Sequence, residues 1–178
     1  MNRLRTVAFD AGRNTVVLID QRRLPHRFTF FRAKNFHETA EAIANMTVRG
    51  AGAIGATVAY GLAQGVRAFR GSRLGEFRWH VDRVHKTLRD ARPTAVDPIN
   101  AMNGVRAAMA ESRTVSGRQQ LALEAAERFA DEDVAHCEAI GQVGLRLIRR
   151  GLRVLTHCNA GALAFVDVGS ATAPLYAA

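Results

Sequence analysis

Gly151-Leu-Arg-Val-Leu-Thr-His-Cys-Asn-Ala-Gly-Ala-Leu163 decides how the chain is read. Val154 and Leu155 make a short apolar run behind a charged, helix-like stretch that stops at Arg149-Arg150-Gly151. Thr156-His157-Cys158-Asn159 then gathers four polar or reactive side chains, and Ala160-Gly161-Ala162 lets the backbone turn closely. A buried strand ends at the ligand crevice of an open α/β sheet in this way, apolar inside and reactive at its carboxyl end. If a helix starts after Asn159, its aligned amides favour the thiolate of Cys158. The alternative is a small cysteine that merely caps a strand.

A parallel strand needs neighbours to bury both faces. After Leu163 only the short Phe165–Ala178 segment follows, so a second domain only begins at Gly151. Upstream, residues 1–150 form the first domain. Val16-Val-Leu-Ile19 and Phe28-Thr-Phe-Phe31 flank a polar break containing Pro25, which predicts an antiparallel hairpin. Asn35 and Glu38 have the spacing of a capping box, with Ala40, Ile43, Ala44 and Met46 as the buried stripe and His37 exposed in the first turn.

Val48-Arg-Gly-Ala-Gly-Ala-Ile-Gly55 runs into the apolar Ala56–Ala63. Gly50, Gly52 and Gly55 fit G-x-G-x-x-G, but a helical segment precedes them where a dinucleotide fold needs a strand. A glycine-rich turn opening a buried helix offers free backbone N–H groups to an anion, and Arg49 adds a guanidinium fork suited to phosphate. Alternatively the glycines serve close helix packing only.

Glu76–Arg89 is amphipathic through Phe77, Val81, Val84 and Leu88, with His80 and His85 as surface residues at poor spacing for a shared metal. Pro93 and Pro98 predict an extended Arg92–Pro98 segment, which either stiffens Arg92 for anion binding or leaves it to cap the preceding helix. Helices are expected over Ile99–Ser112 and over Gln119–Arg150. In the second, Asp131-Glu-Asp133 is a point of interruption, and Leu121, Ala125, Phe129, Val134, Cys137, Ile140, Val143 and Leu147 form the inner side. Cys137 is core, and His136-Cys137 has no second pair to make a zinc site.

The chain has 25 basic and 16 acidic residues, a net charge of +9, and Lys34 and Lys86 as its only lysines. Such charge suits nucleic acid or a phosphorylated metabolite, but the arginines are scattered, in no run longer than two and without interleaved aromatics. That distribution excludes a dedicated nucleic-acid platform. Two cysteines make no disulfide framework, and no stretch has membrane-spanning length or signal-peptide form, so a cytoplasmic protein with no membrane partner is expected.

Three segments in order, Val48–Gly55 with Ala59-Tyr60-Gly61, then Arg92-Pro-Thr-Ala-Val96, then Leu155–Leu163, resemble the methylthioribose-1-phosphate isomerases. That family lies in a superfamily with ribose-1,5-bisphosphate isomerases and regulatory subunits of translation initiation factor 2B. The resemblance implies an α/β architecture: a small β-sheet plus a helical bundle over residues 1–150, then the start of a Rossmann-like parallel-sheet domain over 151–178. It implies an aldose–ketose isomerase of a pentose 1-phosphate needing no metal or nucleotide cofactor. Cys158 matches the catalytic cysteine, and Arg49, Gly50, Ala51 and Arg92 match substrate-binding positions.

Gly52 stands where the isomerase motif usually has proline, a feature of the ribose bisphosphate branch. The family's proton-donating Asp and its Gln and Asn-Lys contacts lie in the second half of longer chains, and no residue here, Asp167 included, matches them. The chain is therefore expected to be inactive alone and to work as a homo-oligomer or with a complementing C-terminal half. A non-catalytic regulatory or binding subunit is the alternative of another class.

Overall fold

The computed structural model describes residues 4–92 and 96–178. Its first layer is a three-stranded antiparallel sheet, β1 (Val7–Asp10), β2 (Thr15–Ile19) and β3 (Phe30–Ala33), in that spatial order. The expected hairpin is the β2–β3 pair, in register at Val16↔Ala33 and Leu18↔Phe31. Sequence reading missed β1, which pairs Val7 with Leu18. Its four residues are too few to show an alternation. Val7, Val16, Leu18 and Ala33 are buried and form the inner face of the sheet.

Helix α1 (Phe36–Ala44) is capped as expected: the His37 and Glu38 amides donate to Asn35 Oδ1, both at 3.0 Å. Glu38 accepts from the Lys34 amide at 2.8 Å instead of that of Asn35. The buried stripe is Phe36, Thr39, Ala40, Ala42 and Ile43, while Ala44 and Met46 are exposed, because the chain leaves the helix at Asn45 and Met46 takes a left-handed φ of 62°.

Helix α2 (Ala51–Arg67) is the centre of the molecule and is buried from Gly52 to Val66. Around it pack α1, α3 (Leu74–Ala91), α4 (Val96–Ala110) and α5 (Val115–Gly144). Gly61 and Gly65 take the close-packing role, set against Leu88 and Val84 of α3. Two polar side chains lie inside this apolar helix: Thr57, whose hydroxyl donates to the Ala53 carbonyl at 2.6 Å, and Gln64. Gln64 is 1% exposed; its Nε2 donates to the carbonyls of Asn14 (2.9 Å) and Ala33 (2.8 Å), and its Oε1 accepts from the Thr39 hydroxyl (2.8 Å). It thereby pins α2 to the sheet and to α1.

Helix α3 buries Phe77, Val81, Val84 and Leu88, the face read from the sequence. His80 is not a surface residue: its Nε2 lies 2.8 Å from the Gly65 carbonyl and its ring packs between Phe36 and Phe69. His85 is likewise half-buried, which pushes its pKa down. Helix α4 starts earlier than expected, with Pro98 inside its first turn, where no intrahelical N–H bond is needed. The rest of the expected extended segment, residues 93–95, lies outside the described residues.

Helix α5 runs unbroken through Asp131-Glu-Asp133. Asp131 accepts from Arg5 at 2.6 Å, and Asp133 Oδ2 accepts from the Val166 amide at 2.7 Å. Thr114 caps its start through the Gly117 amide. Cys137 is buried as expected, but Ile140, Val143 (76% exposed) and Leu147 (75%) face solvent.

Beyond α5, a 3₁₀ turn (Leu145–Leu147) leads into a run without regular secondary structure, Leu152–His157, that is exposed throughout. The expected strand is not formed, since no described strand lies beside it to complete a ladder. The chain bends at Cys158-Asn159, makes a second 3₁₀ turn (Ala162–Ala164) and ends in the short α6 (Ala173–Ala177). This last segment is laced to the N-terminal residues: Thr6 donates from its amide to the Val166 carbonyl (2.9 Å) and from its hydroxyl to that of Ala162 (3.0 Å), and Gln21 Nε2 donates to that of Leu163 (2.7 Å).

Candidate functional site

Three segments gather where α2 begins. Gly50 is its N-cap, with φ 96° and ψ 149°, a conformation open essentially to glycine alone. Its carbonyl accepts from the Ile54 amide at 2.9 Å, closing the first turn. The amides of Ala51, Gly52 and Ala53 precede the first intrahelical bond and carry the positive end of the dipole. A β-carbon on Gly50 would lie 2.3 Å from Ala164 Cα, so the turn following Cys158 rests directly on the turn that opens α2.

Gly52 is tied by close approach as well. A β-carbon there would lie 2.3 Å from Asp133 Oδ1 and 2.7 Å from Phe165 Cδ1. On the next turn, Gly55 faces Phe129 and the β-carbon of Asp97, which brings the start of α4 to the same end of the molecule.

Arg49, just before the cap, is exposed. Arg92 is half-buried and is itself the C-cap of α3, its amide donating to the Arg89 carbonyl at 3.3 Å. The capping alternative is thus realised by the Arg92 backbone. Ala51 is exposed at the first helical position. Cys158 is exposed and holds a left-handed φ of 63°, uncommon for a residue with a side chain and concentrated at functional sites. No α-helix opens directly after Asn159; the next element is the 3₁₀ turn Ala162–Ala164.

Asp133 is the residue that sequence reading missed. Burial raises its pKa, the hydrogen bond from Val166 and nearby His136 act in the opposite direction, and Asp97 adds to the rise. A half-buried carboxyl against the first turn of α2 is a group able to hold a proton there. Its sequence signal was present: Ala126, Ala130, Asp133 and Cys137 follow helical spacing on the inner side of α5. Among the described residues no cluster of three or more His, Cys, Asp and Glu is placed to hold a metal ion, and no helix is long and apolar enough to cross a membrane.

The two thiols differ sharply. Cys137 is 2% exposed, and burial pushes its pKa up to about 11. Alkylation of the folded protein at neutral pH is expected to label Cys158 first, as peptide mass mapping would read. Earlier labelling of Cys137 would reverse the assignment.

A small sheet under a helical bundle, with a glycine-opened central helix facing an exposed cysteine turn, defines an α/β protein of the superfamily anticipated from the three motifs. Residues 47–178 match the model of the Initiation factor 2 subunit family, and the chain belongs to that family. Methylthioribose-1-phosphate isomerase of Methylorubrum populi is 42% identical over 181 residues, covering 98% of this chain and 48% of its own length. That of Thermotoga neapolitana is 39% identical, with 99% and 50% covered. Two solved structures superpose with a TM-score of 0.89. One is 5-methylthioribose 1-phosphate isomerase from Pyrococcus horikoshii OT3, 34% identical, with 99% of this chain and 50% of that one covered. The other is translation initiation factor eIF-2B subunit delta from A. fulgidus, 35% identical, with 98% and 51% covered. The chain spans about half the length of the relatives it matches.

Proposed function

We propose that residues 1–178 form one half of an aldose–ketose isomerase site that converts S-methyl-5-thioribose 1-phosphate to S-methyl-5-thioribulose 1-phosphate, a step of methionine salvage in the cytoplasm. The observation that carries this reading is the seating of the Cys158 loop on the helix start behind Arg49, through the Gly50–Ala164 contact. The names of the relatives, similar along nearly all of this chain, support it.

In this reading the phosphate is held by Arg49, Arg92 and the amides of Gly50 and Ala51, where helix polarity and guanidinium forks favour an anion. Cys158 acts beside C1 and C2 of the opened sugar. Moving a proton between these carbons needs a group on each side within hydrogen-bond reach, and Cys158 supplies one. Residues 151–178 begin a Rossmann-like domain. In support, the apolar side chains of Leu152, Val154 and Leu155 (96% exposed) stand in solvent, where a parallel sheet would bury them. The remainder comes from a complementing C-terminal half or a second copy in a homo-oligomer.

A ribose-1,5-bisphosphate isomerase is the second reading, favoured by Gly52 in place of the usual proline. A non-catalytic subunit is the third, favoured by the likeness to the eIF-2B delta structure. In a complete enzyme, Arg49→Gln or Arg92→Gln should weaken substrate binding by roughly 1.5–3 kcal/mol, the range of charge-assisted hydrogen bonds, read as a higher KM. An unchanged KM in both variants would remove the anion site.

A further inference from the structure

A second basic site lies at the opposite end of α4. There α3, α4 and the start of α5 enclose a cleft of about 310 Å³ whose walls include Arg78, Arg106, Arg118, Phe77 and Met109. It uses the last turns of α4, ~18 Å along the helix axis from Asp97 at 1.5 Å per residue, and shares no residue with the site around Gly50. Asp82 is the acid of this cleft; its Oδ1 accepts from Arg106 Nη2 at 2.9 Å, and both side chains are partly open to water.

The other two guanidinium groups are not neutralised. Arg78 has no acidic partner among the described residues. Arg118 donates from Nε to the Ser112 carbonyl at 2.9 Å, a bond that fixes its plane without cancelling its charge. Three guanidinium groups against one carboxylate leave two positive charges facing a concave surface.

We propose that this cleft binds a phosphate monoester carrying a small planar or apolar substituent. A phosphate monoester brings close to two negative charges at neutral pH, which matches the excess, and its oxygens match guanidinium forks, of which that of Arg118 is held by its bond to Ser112. The apolar lining is the small accessible part of Val81 and Met109, with Phe77 wholly buried. The volume is at the lower end for small-molecule sites, so the ligand is compact.

The test is titration of residues 1–178 with phenyl phosphate at constant ionic strength, followed by calorimetry and by amide shifts. Saturable binding is expected, with shifts around residues 77–82 and 106–118. Arg78→Gln, an exposed residue whose loss leaves the core intact, should weaken it at least tenfold, while Arg49→Gln leaves it unchanged. Absence of saturable binding would overturn the proposal. So would loss of binding with Arg49→Gln but not with Arg78→Gln, which places the anion at the start of α2. Equal affinity for phenyl sulfate, a single charge, would overturn the ligand class.

Discussion

Residues 1–178, purified and supplied with methylthioribose 1-phosphate, are expected to form the ketose phosphate at least ~10²-fold more slowly than a full-length isomerase. A positioned acid or base contributes about 10²–10⁴-fold to a proton transfer, and in the proposed site Cys158 is a group on one side of the reacting carbons only. Its loop rests on α2 but is otherwise open: every residue from Gly151 to Asn159 is exposed, so water is not excluded from any chemistry there. A coupled assay of the isolated polypeptide reads this directly. Turnover near the full-length rate would mean that a carboxyl within these residues takes the second role. Asp133 and Asp97, gathered at the start of α2, would be examined first, then Asp167.

The largest effect on stability is expected from Gln64→Leu. The substitution keeps the volume and apolar character of α2 but removes two donated hydrogen bonds and one accepted one, and it strands the partners on β3, on the β1–β2 turn and on α1. A buried polar group left without its partner costs about 1–3 kcal/mol, so the loss should reach about 3 kcal/mol or more. That is a large share of the 5–15 kcal/mol typical of a domain. Urea unfolding would show it as a lower midpoint at unchanged slope. A midpoint shift worth under about 1 kcal/mol would mean that the apolar contacts of α2 alone set the packing.

Gln64 also marks where the sequence stops being legible. The run from Gly52 to Val66 announces a buried helix by composition, and the amphipathic face of α3 and the Asn35 cap follow from spacing; each depends on residues near one another in the chain. Gln64 bonds to residues 25 to 50 positions away, and His80 is drawn inward by two phenylalanines on other elements. Asp133 was concealed by its acidic neighbours, although its helical phase agrees with Ala130 and Cys137. Ile140, Val143 and Leu147 have apolar spacing but face solvent, because periodicity reports which side of a helix is apolar and not whether anything covers it. The same holds for Leu152–His157, whose strand pattern needs a ladder from elsewhere.

Within the candidate site, the turn at Gly50 that opens α2 was legible because a glycine turn is a local signal. The contact between Gly50 and Ala164 was not, since more than a hundred residues separate the two turns.

The most direct measurement is the turnover number of Cys158→Ser in an active chimera of residues 1–178 followed by the second half of the Methylorubrum populi isomerase. A fall in kcat of about 10²-fold or more, with KM little changed, is expected if this thiol acts on the opened sugar. An unchanged kcat would contradict the assignment of the Cys158 turn as the catalytic half-site.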